Sequence, residues 1–278
     1  MRDPAENAQL ALLLEVTGTP KPGNVDRHRD SPGLRFEHFT AGAVGALAGL
    51  RMAAAAAAPL GTAFERAVDG MSDQSGGNTQ FGALLMLVPL VRAAAEDRLS
   101  PSGVADVVEA TSVEDACGFY RAFEHVDVAV DDPPEDLDDL DVRRGGDATD
   151  ALRRRETTLY DVMDLSADVD GVAAELTGGF ERSFEAAEWV LADEGPVYRR
   201  ASRAFLRLLA DEEDTFVVTR NGPEAAAEAT RRAGAVLRGE EDAEELAEEF
   251  VERDINPGTT ADLTAAALFV ALERGLEV

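Results

Sequence analysis

The chain has 278 residues, enough to bury a sizeable core, and carries 55 acidic against 26 basic side chains for a formal net charge of −29. No basic face is visible along it, which excludes nucleic acid as an expected partner, because binding a polyphosphate backbone depends on basic side chains that displace counterions. The single cysteine, Cys117, leaves no intramolecular disulfide, and no apolar run reaches the ~20 residues of a membrane helix.

The acids are dispersed rather than gathered in a tail, and Lys21 is the only lysine. Such a surface repels itself in dilute buffer. At molar salt the Debye length falls to about 3 Å and the repulsion is screened, so the composition suits a salt-accumulating, halophilic cell. The N-terminus, Met1-Arg2-Asp3-Pro4, has an acid where a signal peptide would run apolar. A cytoplasmic protein is expected, with a homo-oligomer left open.

In chain order, residues 5–17 are apolar nearly all round, as in a buried helix. A Pro/Gly-rich loop follows. Helices are predicted over 36–58, 60–71, 78–97, 101–110 and 112–124. Residues 125–130 alternate like a short strand, and 131–147 read as a surface loop. Further helices are expected near 157–166, 168–192, 196–210, 222–238, 240–253 and 259–275. The pattern predicts an all-α fold, a single compact multi-helix domain over residues 1–278.

Three motifs carry candidate chemistry. In the first, Thr19-Pro20-Lys21-Pro22-Gly23-Asn24-Val25-Asp26, the prolines stiffen the backbone around Lys21. A lysine kept where every other one has gone suggests a need for a compact ammonium. Glu15, in the apolar run Leu12–Val16, needs a partner there: either an arginine, or, with Asp26, a hydrated Mg²⁺ beside a phosphate. In the second, Ser75-Gly76-Gly77-Asn78-Thr79-Gln80-Phe81-Gly82, glycines before a helix expose backbone N–H groups to an anion, and Asn78 is placed to cap that helix. The third, Asn256-Pro257-Gly258-Thr259-Thr260-Ala261-Asp262, opens the last helix, with Thr259 and Asp262 at capping-box spacing. It reads equally as a cap and as a binding turn.

Weaker signals stand beside these. Asp161, Asp164 and Asp168 share one helix face, a metal site or, more simply, a solvated face. Arg220 is a candidate phosphate fork. The acidic run Asp131–Asp141 lacks the EF-hand pattern and reads as solvated loop.

Glu15-Val16 followed by Thr19–Asp26 resembles the opening motif of the triphosphoribosyl-dephospho-CoA synthases. Gly76-Gly77-Asn78-Thr79 is similar to that family's glycine-rich Asn-Thr motif, and Pro257–Asp262 to its C-terminal Pro-Gly-Gly-Ser-Ala-Asp. Order and spacing agree along nearly the whole chain. The resemblance implies an all-helical enzyme that moves the triphosphoribosyl unit of ATP to the ribose 2′-hydroxyl of dephospho-CoA and releases adenine. It implies that Lys21 contacts the triphosphate, that Glu15 and Asp26 support Mg²⁺, and that Gly76, Gly77, Asn78 and Thr79 hold phosphate oxygens. Asp262 would orient a ribose or the metal, with Gly258 and Arg220 at the nucleotide. The bacterial enzymes read His-Lys where this chain has Gln80-Phe81, and a Gly-Ala-His-x-Asp-Met stretch is not matched at Arg29–Gly33. Tyr160-Asp161-Val162-Met163 fits an archaeal branch. The readings open at this point are the transferase, another nucleotide-dependent enzyme such as a hydrolase of a phosphorylated metabolite, and a non-catalytic nucleotide-binding relative.

Overall fold

The structure, a computed structural model, describes residues 2–56, 58–133 and 137–278. The described residues form fifteen α-helices and no strand, so the all-α class holds. They are α1 (Pro4–Thr17), α2 (Phe36–Ala54), α3 (Leu60–Met71), α4 (Phe81–Ala95), α5 (Pro101–Glu109), α6 (Val113–Ala122), α7 (Thr149–Arg155), α8 (Leu159–Ser166), α9 (Gly171–Thr177), α10 (Glu181–Ala192), α11 (Val197–Asp211), α12 (Thr215–Asn221), α13 (Pro223–Leu237), α14 (Ala243–Glu252) and α15 (Gly258–Glu273).

Three helices that are apolar nearly all round make the centre. α1 packs on α2, α4 and α15, and α15 also packs on α10 and α11. Leu12 on α1, Leu84 and Met86 on α4, and Phe269 on α15 have no exposed surface. Truncating such a leucine typically costs about 2–5 kcal/mol. The alanine-rich α2 lies close against α3 because the contact is made of small residues. A Cβ on Gly45 would stand 1.9 Å from the Gly70 carbonyl oxygen. A second, smaller core of Phe205, Leu209, Leu246 and Phe250 holds α11, α13 and α14 together.

Several boundaries differ from the periodicity. The segment 168–192 is two helices, broken at Gly178-Gly179-Phe180, where Phe180 takes a left-handed φ of 62°. The buried Glu175 carboxylate turns back to accept from the Arg182 and Ser183 N–H groups at 3.2 and 3.0 Å. It thus caps α10 from the preceding helix, a long-range cap that periodicity does not show. Residues 125–130 form no strand. The acidic loop contains two 3-10 turns, Asp138–Leu140 and Val142–Ala148, and α7 follows directly. Its middle, 134–136, lies outside the described residues, as does residue 57 in the stretch read as the end of α2. Asp161 is a cap, accepting from the Thr158 N–H and hydroxyl at 2.8 Å each. It, Asp164 and Asp168 are all exposed, so that face is solvated.

Candidate active site

The α1 C-terminus, the loop before α4 and the starts of α12 and α15 enclose one end of a cavity of about 1010 Å³, at the top of the roughly 300–1,000 Å³ usual for ligand sites. Its walls include Glu15, Gly76, Gly77, Asn78, Thr79, Arg220, Gly258 and Asp262. Eight of the ten residues singled out in the sequence therefore meet at one place. The three motifs touch one another. The Asn24 side-chain amide donates to Asn256 Oδ1 at 2.9 Å, joining the first motif to the third across 232 residues. Asp262 lies over Gly82, where a Cβ would stand 2.1 Å from its Oδ2, which joins the third to the second. Any side chain at position 82 would push that carboxylate out of place.

The glycine turn is shaped for approach. Gly77 has a φ of +75°, and nothing lies within 4 Å of where its Cβ would be, so its backbone faces open cavity. Asn78 Oδ1 accepts from the Phe81 N–H at 3.1 Å, and this cap fixes the turn to the start of α4. Thr79 Oγ1 and Gln80 Oε1 are buried without a hydrogen-bond partner. A buried polar atom left unpaired costs about 1–3 kcal/mol, and both oxygens lie against α2 at Gly42.

Lys21 and Asp26 are the two residues that the cavity does not touch. Lys21 is completely buried. Its ammonium bonds Glu15 Oε1 and Asn24 Oδ1, the latter at 3.1 Å, and stands 5.9 Å from the centre of the Phe205 ring. The cavity is lined by the ammonium's partners, Glu15 and Asn24, and not by Lys21 itself. Asp26 is equally buried. It accepts from the Thr19 hydroxyl at 2.8 Å, from the N–H of Lys21 at 3.3 Å, and from those of His28 and Arg29 at 2.8 and 3.0 Å. The Arg29 guanidinium adds a fifth bond at 3.0 Å. With both oxygens used this way, Asp26 ties the loop together.

Electrostatics separate the remaining acids. Burial raises the Glu15 carboxyl above its ordinary range, and the attraction of Lys21 only partly offsets this. Asp262 is raised further: burial comes first, then the repulsion of Glu15, against a bond from the Ala83 N–H. Among the described residues, the cavity walls carry seven carboxylates and one guanidinium, Arg220. Arg220 is paired with Asp254 at 3.3 Å and lies over the Phe216 ring at 5.7 Å.

Three features were not read from the sequence. Asp214, buried, accepts from the Thr260 N–H and hydroxyl at 2.7 Å each and from the Val217 N–H at 3.1 Å. It thereby binds the starts of α12 and α15 together. The Thr259–Asp262 capping box is consequently not formed, and Thr259 Oγ1 bonds Thr215 Oγ1 at 3.0 Å instead. The strap 127–133 lines the cavity, with Asp131 accepting from the Thr219 hydroxyl at 3.0 Å. Phe81 joins an aromatic wall, its ring 4.8 Å from Phe123 and 5.0 Å from Phe64.

Known proteins with this pattern decide the family. The family model for ATP:dephospho-CoA triphosphoribosyl transferase, CitG, matches residues 1–277. The chain belongs to this family. Its reaction is transfer of the triphosphoribosyl unit of ATP to dephospho-CoA. A crystal structure from Archaeoglobus fulgidus, described as a triphosphoribosyl-dephospho-CoA synthase, is similar at a TM-score of 0.71 and 28% identity, over 87% of this chain and 100% of that one. No curated protein matches this chain. Among the described residues, no helix is long and apolar enough to cross a membrane.

Proposed function

We propose that Glu15 and Asp262 are the acids on which the triphosphoribosyl transfer turns, and that the glycine turn 76–79 and Arg220 take the ATP phosphates. The observation that carries this is the meeting of Glu15 and Asp262 at one end of the cavity, each raised above its ordinary range by burial, with the Glu15 charge adding to the rise of Asp262. In the reaction the acceptor's 2′-hydroxyl oxygen bonds C1′ of ATP's ribose while the bond from C1′ to adenine breaks. Positive charge develops on the sugar, and a nearby carboxylate stabilises it, as in glycoside hydrolysis. Asp262 takes the hydroxyl proton, helped by its raised proton affinity. That proton then leaves with adenine, so the carboxyl ends as it began.

The walls also fit Mg²⁺. Among the described residues no three His, Cys, Asp or Glu side chains stand close enough to hold a metal alone. Mg²⁺, however, commonly binds through one or two carboxylates plus substrate phosphates. Glu15 and Asp262 are the pair to supply them, and a polyphosphate needs such cations beside seven carboxylates. When bound, the ion would neutralise phosphate charge. Lys21 acts as a positioning residue that holds Glu15. Residues 1–278 work as one domain, since the site draws on both ends of the chain. The dispersed acids and the lone buried lysine support a halophilic cytoplasm as its setting.

The test is incubation with ATP, Mg²⁺ and dephospho-CoA in concentrated KCl, with free adenine read by mass spectrometry. Adenine should appear only with all three present and vanish in Asp262→Asn. Release undiminished in that variant, or unchanged by chelating Mg²⁺, would sink the assignment.

A further inference from the structure

The cavity has a second end that the transfer chemistry leaves unused. Phe81, Phe119 and Phe123 form its inner wall, with Phe119 and Phe123 ring centres 5.3 Å apart. Met163, Leu165 and Val169 stand at its outer side, from α8 and the turn after it. These residues sit on α4, α6 and α8 or in the turns that directly follow α6 and α8. The polar end belongs to α1, α12 and α15. α6 packs on α3, α7 and α8, whereas α15 packs on α1, α4 and α12. α9 joins the two groups, packing on α8 as well as on α4 and α15, and the Gly171 N–H bonds Thr215 Oγ1 at 3.0 Å, so the two ends adjoin at the turn 169–171.

Leu165 and Val169 are 58% and 63% exposed, two of only five large apolar side chains left so open among the described residues. Both line this cavity. Large apolar groups at the mouth of a cavity mark a surface that a ligand completes. The polar groups beside them are anionic. Asp127 and Asp141 line the same end, and Asp141 is held below the usual carboxylate range by hydrogen bonds from Arg143. Among the described residues no cation lines this end, and the one guanidinium in the cavity wall is on α12. A phosphate is therefore disfavoured here, while an uncharged chain is not.

Of the two substrates of the family reaction, only one carries a long uncharged part. Dephospho-CoA has a pantetheine arm, a run of methylenes, a gem-dimethyl group and two neutral amides ending in a thiol. We infer that the Phe81–Phe119–Phe123 wall with Met163, Leu165 and Val169 is the subsite for this arm, which sets the acceptor's orientation. In this arrangement the acceptor's adenosine and diphosphate point back toward Glu15 and Asp262. The phenylalanine at position 81 extends the apolar wall where a lysine would end it. This inference rests on the family reaction, and its test separates the two.

The experiment uses the full chain in concentrated KCl with the double variant Leu165→Ser/Val169→Ser. Both positions are exposed, so folding is preserved. Steady-state adenine release gives KM for each substrate, and calorimetry with pantetheine alone gives binding of the arm. Expected are a rise of about 10-fold or more in KM for dephospho-CoA, the scale of lost apolar pocket contacts, an equal weakening of pantetheine binding, and a KM for ATP within about twofold of wild type. An unchanged KM for dephospho-CoA would overturn the inference, as would a KM for ATP that rises in parallel, since the lobe would then hold the nucleotide. Pantetheine that fails to bind wild type would also overturn it. If no mixture releases adenine, the transfer reading fails, and the pantetheine titrations on wild type and variant still decide the subsite.

Discussion

Asp26 and Asp262 belong to neighbouring parts of one site, yet they live under opposite physical conditions. Asp26 is fully buried with five donors on its two oxygens. Asp262 faces the cavity, with the Glu15 charge against it and the Ala83 N–H in its favour. A carboxylate whose hydrogen bonds are all met by its own loop has nothing left to offer a substrate. One kept at odds with its surroundings stores the free energy that a cation or a moving proton can release. The loop 19–29 is therefore a brace, and on the proposed function the chemistry falls to the cavity floor that Asp262 forms over Gly82.

The brace breaks most visibly at Lys21. Lys21→Met leaves the buried Glu15 without its counter-ion, and removing one partner of a buried pair costs about 3–5 kcal/mol. Thermal or urea unfolding at fixed high salt should show that loss. The double variant Lys21→Met/Glu15→Gln should recover most of it while remaining inactive. A single variant as stable as wild type would mean the ammonium is not needed to offset Glu15. On the floor the largest effect is catalytic. Asp262→Asn keeps shape and volume but cannot take a proton or balance positive charge. A fall of about 10²–10³ in kcat is expected, the scale of losing one electrostatic group aimed at the transition state, with KM for ATP much less affected.

The same contrast governs what could be read from the chain. Periodicity is a local property, so the buried α1, α4 and α15 were visible in it, as was the meeting of the three motifs once the family resemblance was drawn. The role of each residue within a motif was not. Lys21 and Asp26 sit five residues apart in a stiff loop, and nothing local tells which side of that loop faces a cavity. That depends on Phe205 and Asn256, roughly two hundred positions away. Asp214 escaped for the same reason. Its neighbours in sequence are Glu212 and Glu213, ordinary surface acids, and only the approach of Thr260 distinguishes it. Alternation over 125–130 pointed to a strand that does not form, and the seven-residue α12 is too short for a periodic pattern to register, although both border the site.

Asp214 sharpens the distinction further, because it is buried like Asp262 yet bonded like Asp26. Burial raises it, and the Thr260 and Val217 bonds pull the other way. Asp214→Asn can satisfy fewer of these donors, and an unpaired buried donor costs about 1–3 kcal/mol. Unfolding should register that cost, and activity measured well below the unfolding temperature should fall only modestly. A collapse of kcat with stability intact would move Asp214 from brace to chemistry.

The smallest effect is the most discriminating. A carboxyl whose folded pKa is raised binds more protons folded than unfolded, so it destabilises the fold as pH climbs from its unfolded value of about 3.9 through the folded one. The side-chain amide of the Asp262→Asn variant has no such titration. With divalent cations chelated, that variant should unfold at a higher temperature than wild type at pH 7, and the gain should shrink toward nothing as pH falls below about 4. Such a protein would be at once inactive and sturdier, the usual mark of a group kept for function against stability. A variant less stable at every pH would instead mean that Asp262 holds α15 to α4 as Asp26 holds its loop, and the division between brace and floor would have to be drawn elsewhere.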